Sequence, residues 1–128
     1  KDGAGYSSIV KCDAVGIPQY VQLTGRGLIG IRAKDGEQLW SYTRVANGVA
    51  NIPTPIIEGN FVFASTSYGQ GTCCLELKKS RNRVSVEEKY YLEATTFNNH
   101  HGGMILHNGH IYAGHQQNEG FPTCVDMT

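Results

Sequence analysis

Pro55-Ile56-Ile57-Glu58-Gly59-Asn60-Phe61-Val62-Phe63 is a pair of short apolar runs divided by Glu58-Gly59-Asn60. Glycine and asparagine supply the positive φ angles that a tight hairpin requires, so the segment predicts two antiparallel strands. The pattern returns at Gly103-Met104-Ile105-Leu106 and Gly109-His110-Ile111-Tyr112, with Asn108-Gly109 as the turn. Lys34-Asp35-Gly36 and Arg81-Asn82 mark two further turns. No stretch carries apolar residues at i, i+3, i+4 and i+7, which argues against amphipathic helices. Short apolar or alternating runs instead predict strands at Tyr6–Lys11, Gln19–Thr24, Gly27–Ala33, Glu37–Thr43, Thr54–Glu58, Asn60–Ser65, Thr72–Lys78, Arg83–Tyr91, Gly102–Leu106, His110–Gly114 and Thr123–Met127.

These strands fall into three copies of one order. The first copy reads Ser7-Ser8-Ile9-Val10, then Gln19-Tyr20-Val21-Gln22, then Gly30-Ile31-Arg32-Ala33. The second starts at Pro55-Ile56-Ile57 and reaches Cys74-Leu75-Glu76-Leu77; the third ends on Cys124-Val125-Asp126-Met127. A fourth strand follows in two copies, at Gln38–Tyr42 and Val86–Tyr90, and the third copy stops before its own. A period of roughly 40 to 50 residues is that of propeller blades. The predicted fold is all-β: about three blades of a β-propeller built from four-stranded antiparallel meanders, the last incomplete, over residues 6–45, 53–93 and 101–128. Blades stack face to face, so inner strands are covered on both sides and read as apolar blocks such as Phe61-Val62-Phe63-Ala64.

The composition agrees. The 128 residues include 16 glycines, and 11 basic side chains balance 11 acidic ones. Zero net charge argues against an electrostatic nucleic-acid binder or a polybasic membrane-surface module. No apolar run approaches the ~20 residues of a membrane-spanning helix. The chain starts at Lys1 and stops at Thr128 directly after an apolar segment, which reads as a cut-out or processed piece.

Ile31-Arg32-Ala33-Lys34-Asp35-Gly36-Glu37-Gln38-Leu39-Trp40 resembles the tryptophan-docking motif of pyrroloquinoline-quinone (PQQ)-like propeller repeats. Ala33, Gly36 and Trp40 fall in place, while Arg32 and Asp35 replace the family's usual acid and threonine. The resemblance implies that Gly36 turns the chain between the third and fourth strands and that Trp40 plugs the joint between blades. The middle copy has Tyr90 where tryptophan would stand. Relatives of this kind include periplasmic quinoprotein alcohol dehydrogenases, outer-membrane assembly lipoproteins and secreted propellers. The resemblance therefore implies a periplasmic or secreted location, and PQQ with calcium enters as a cofactor expectation for the whole protein, not for this segment. Fold analogy alone does not select an activity.

Four of the five histidines, His100, His101, His107 and His110, lie within eleven residues, and His115 follows. Asn99, His100, His101 and Gly102 are the candidate ligand-binding residues, placed where a loop enters the first strand of a blade. The competing reading is histidines buried between blades and bonded to backbone. Neighbours on a strand point oppositely, so His100 and His101 would need a bend to share one metal. No spacing matches a structural zinc site, and no metal residues are expected. Some quinoprotein dehydrogenases carry a disulfide between adjacent cysteines, a comparison that Cys73-Cys74 invites. Cys74 aligns with Gly30 and Cys124, however, which places it within a strand and predicts two buried thiols. A bridge from Cys12 to Cys73 or Cys124 stays open. Tyr68-Gly69-Gln70-Gly71 and His115-Gln116-Gln117-Asn118 read as solvated hairpin loops. The aspartate base, calcium ligands and stacking tryptophan of a quinone centre find no counterpart, since Trp40 is the only tryptophan.

The functional expectation is a binding or scaffold segment of an extracytoplasmic propeller protein without a complete catalytic site. The alternative is part of a quinone-dependent dehydrogenase whose Asn99–Gly102 loop faces the cofactor. Expected partners are further blades or a second copy seated on uncovered blade faces, with no nucleic acid and no transmembrane segment.

Overall fold

The computed structural model describes residues 2–81 and 83–128; Asn82 of the expected Arg81-Asn82 turn lies outside them. The elements in chain order are β1 (Val10–Cys12), a 3-10 turn (Ala14–Gly16), β2 (Gln19–Thr24), β3 (Gly27–Arg32), β4 (Gln38–Tyr42), β5 (Ile56–Glu58), β6 (Phe61–Ser65), β7 (Thr72–Ser80), β8 (Arg83–Leu92), β9 (Ile105–His107), β10 (His110–His115) and β11 (Phe121–Asp126). They form three antiparallel meanders, β1-β2-β3-β4, β5-β6-β7-β8 and β9-β10-β11. These are three blades of a β-propeller, the third with three strands among the described residues. No helix is long and apolar enough to cross a membrane among the described residues.

The turns follow the expected chemistry. Asn108 and Gly109 both have positive φ, 49° and 76°, the signature of a two-residue type I′ hairpin. The innermost strands, however, are shorter than the apolar runs suggested. Tyr6–Ile9 is not strand: Ser7 Oγ donates to Leu23 O at 2.9 Å and accepts from Leu23 N–H at 3.2 Å. One hydroxyl thus replaces a ladder pair, and pairing begins only at Val10 opposite Val21. Gly102–Met104 is likewise not strand: Gly102 and Gly103 have positive φ, 91° and 74°, and pairing begins at Ile105. The final strand starts earlier than expected, at Phe121, because Pro122 is tolerated on a sheet edge.

Cross-strand registers show one row repeated in every blade. Val10, Val21, Gly30 and Trp40 are aligned in the first. Ile56, Phe63, Cys74 and Tyr90 are aligned in the second, and Ile105, Tyr112 and Cys124 in the third. A β-bulge follows Gly30 and Cys74 at the same place. The first row packs on Val62, Ala64, Cys73 and Leu75 of the second blade. The second row packs on Ile111 and Met127 of the third. Strand β6 serves both joints, Phe63 facing one and Val62 and Ala64 the other, which explains its unbroken apolar run. The third row has no cover: Ile105 is 64% and Tyr112 45% exposed.

Trp40 fills the first joint. Its indole lies across Gly30, where an added Cβ would come within 2.1 Å of Nε1, and Nε1–H donates to the buried Gln19 Oε1 at 2.6 Å. Tyr90 takes the matching place in the second joint. Its hydroxyl donates to Asp126 O at 2.6 Å and approaches Met127 O at 3.3 Å. Gly36 has φ +78° and open space around it, so glycine is required there by backbone conformation, not by crowding.

All four cysteines are free. Cys73 and Cys74 are consecutive residues of β7 that face different joints, so they form no ring, and Cys12, although it shares a cluster with Cys73, is free as well. Burial pushes both thiols up, Cys74 to about 11 from an ordinary 9.0.

Candidate functional site

The connection from β8 to β9 crosses one end of the second joint. Phe97 is buried there against Phe63, and its carbonyl accepts from Thr72 Oγ1 at 3.0 Å. That anchor sets the position of the next residues. Asn99 N–H donates to Ser65 Oγ at 2.8 Å. The Asn99 side chain then braces the loop: Oδ1 accepts from Gly102 N–H at 2.8 Å, and Nδ2 donates to Gly114 O at 2.9 Å. Side-chain amides commonly organise turns in this way. Gln116 N–H closes onto Asn98 O at 3.0 Å.

His100 and His101 therefore sit on a bend rather than on a strand. The expected loop entering the third blade's first strand is here an independent bridge, and the strand begins only at Ile105. The bend brings the two imidazoles to a centroid separation of 4.0 Å. Opposed side chains, expected of strand neighbours, do not occur here. Gly102 (φ +91°) and Gly103 (φ +74°) hold a backbone conformation that disfavours other residues.

Asn99, His100, His101 and Gly102 line one shallow depression of about 230 Å³, with Gln116 to Gly120 as its other wall. A second depression of about 360 Å³ lies against His101 and Gly102, bounded by Tyr6, Pro55 and Met104. The 115–118 loop, read from sequence as solvated, is thus part of the site. So is Tyr68, whose ring meets His100 edge-on at 5.0 Å. The positive φ of Tyr68 and Gln116 is the local signal of these tight loops.

The histidines divide into two groups. His115 stacks on Phe97 and accepts Asn98 N–H at Nδ1, which leaves its proton on Nε2. His107 and His110 lie away on the β9–β10 turn, where His110 pairs with Asp126 at 3.0 Å. His100 is buried, and its Nδ1 and the neighbouring Asn98 Oδ1 have no hydrogen-bond partner among the described residues. Burial, with the adjacent His101, lowers the His100 pKa from its usual 6.5. His100, whose charged form burial disfavours, and one nearby carboxylate, Glu119, suit polar contact better than charge capture.

The side chains present do not fit a quinone–calcium centre. Trp40 is buried in a joint with its N–H on Gln19, so it offers no face for stacking. Among the described residues no three His, Cys, Asp or Glu side chains converge on one point.

The whole arrangement of repeated meanders and docked aromatics has a counterpart among known families. The family model for outer membrane protein assembly factor BamB matches residues 4–127. No match was found among curated proteins or among solved structures. With that match spanning nearly every residue, the chain belongs to the PQQ-like β-propeller repeat family described as outer membrane protein assembly factor BamB.

Proposed function

We propose that this chain is a protein-binding scaffold segment of a propeller on the periplasmic side of the outer membrane, with no complete catalytic site of its own. The observation that carries the reading is the third blade's uncovered row, Ile105, Tyr112 and Cys124. In the first two blades the same row is sealed by the next sheet. The row that the next sheet seals in the sister copies is here a surface for a further blade or for a second copy. The family's description as an assembly factor supports a role in protein interaction.

Sedimentation velocity of the 128-residue chain at about 50 μM tests this, since apolar faces of this kind associate. Concentration-dependent association is expected. A sharp monomer at that concentration overturns the proposal.

A further inference from the structure

The bend at His100 differs from its sister loop in a way that packing alone does not require. Counting back equally from the aligned Ile56 and Ile105 brings Asn51 and His100 to the same place. Both are buried, at 3% and 8% exposure. The first loop is closed on itself. Asn51 Oδ1 accepts from Asn47 N–H at 2.9 Å, and Asn51 Nδ2 donates to Asn47 O at 3.0 Å. Asn47 Oδ1 in turn accepts from the N–H groups of Val49 and Ala50. The second loop uses its clasp, Asn99, on Gly102 and Gly114, and leaves His100 Nδ1 with no partner among the described residues. Asn98 Oδ1 in the same bend is left bare as well. A buried polar atom without a partner is costly, and one that a sister copy satisfies calls for a ligand.

The surroundings of that nitrogen indicate the kind of ligand. Tyr68, His100 and His101 form a row of rings with centroids 5.0 and 4.0 Å apart, and Tyr68 and His101 are exposed. Tyr68 holds its place at φ +57°, uncommon for a large side chain and of a kind that clusters at ligand clamps. Across the depression stand the exposed side chains of Gln116 to Glu119. Its volume of about 230 Å³ is below the roughly 300–1,000 Å³ of drug-sized sites, so the occupant is small. Burial disfavours a charged His100, which argues against an anion. Among the described residues no third His, Cys, Asp or Glu converges on the pair, which leaves a metal ion short of ligands. Amides, a carboxylate and an imidazole nitrogen beside flat rings suit a molecule with hydroxyls on its edge and C–H groups on its face. A hydroxyl both donates and accepts, so it satisfies His100 Nδ1 in either tautomer.

We infer that this depression binds a sugar: one pyranose ring laid against His101 and Tyr68, with a hydroxyl on His100 Nδ1 and others on the side chains of Gln116 to Glu119. The site is independent of the scaffold reading, which rests on the third blade's row.

NMR of the imidazole nitrogens in the 128-residue chain tests it, with D-glucose, D-galactose, D-mannose and N-acetyl-D-glucosamine as probes. At least one of them shifts the His100 Nδ1 resonance saturably, with a dissociation constant on the order of 1 mM, as suits so small a ligand. His101→Ala and Glu119→Gln change exposed side chains and keep the urea midpoint, yet each weakens binding about tenfold. Sorbitol, which has the hydroxyls without the ring, binds at least about tenfold more weakly than the sugar. No saturable shift with any of these sugars, an equal response to sorbitol, or full affinity in both variants overturns the inference. So does zinc chloride that shifts His100 and His101 at micromolar concentration where the sugars do nothing, which assigns the pair to a metal.

Discussion

The two joints solve one packing problem with different residues. In the first, Trp40 is wholly a matter of its own blade: it covers Gly30 and donates to Gln19 in the same sheet. Its apolar surface alone faces the next blade. In the second, Tyr90 covers a cysteine and sends its hydroxyl across the joint to two carbonyls of the third blade. Cys74 adds a bond of its own, Sγ to Met127 O at 3.0 Å. The first joint is sealed by volume, the second by a smaller ring with polar handles. The first also has a charged rim, with Arg44 over Tyr91 and within 2.8 Å of Glu88. That rim is half exposed and contributes little to stability.

If volume is what holds the first joint, Trp40→Ala costs about 3–5 kcal/mol and strands Gln19, as measured by urea unfolding. A loss below about 1 kcal/mol would show that the two joints are not sealed differently. Gly30→Ala comes next: its methyl meets the indole, and the expected cost is about 1–3 kcal/mol. Cys74→Ala, at the matching position of the second joint, removes one thiol contact and costs less than Gly30→Ala in the same assay. Tyr90→Phe keeps the ring and loses the bond across the joint, for about 1 kcal/mol.

Titration sharpens the contrast from another side. The folded chain holds the Cys74 thiol at about 11, above its ordinary 9.0. The unfolded chain releases that proton first, so stability is full below pH 9 and falls as pH rises to about 11. Urea midpoints between pH 8 and pH 11 should decline, and Cys74→Ala should flatten the decline. His100 acts in the opposite range. Its lowered pKa means that stability drops as pH falls below 6.5, an effect smaller than the others and visible as a histidine resonance titrating below 6.5. A resonance at or above 6.5 would remove burial as the cause.

Much of this architecture is legible in residue order. Hairpin turns announce themselves through Asn108-Gly109 and Gly59, and the apolar block at Phe61–Ala64 reveals a strand covered on both faces. Strand starts were less legible, since Ser7 and Asn99 satisfy backbone groups by side chain, and an apolar run does not disclose that. The candidate site was half visible. Asn99 to Gly102 stood out by composition, but Tyr68 and Gln116–Gly120 reach it only through contacts between different blades. The bend that pairs His100 with His101 depends on Asn99 clasping Gly102, a long-range consequence of where Ser65 and Gly114 happen to lie.

The bulges after Gly30 and Cys74 have a geometric consequence. Each inserts one residue at the same point of its sheet and adds local right-handed coil there. Both outer strands are therefore re-aimed at the same point of their sheets. A like increment from one sheet to the next is what gives a stack of sheets a steady curvature, and a sheet whose irregularity fell elsewhere would break that regular progression.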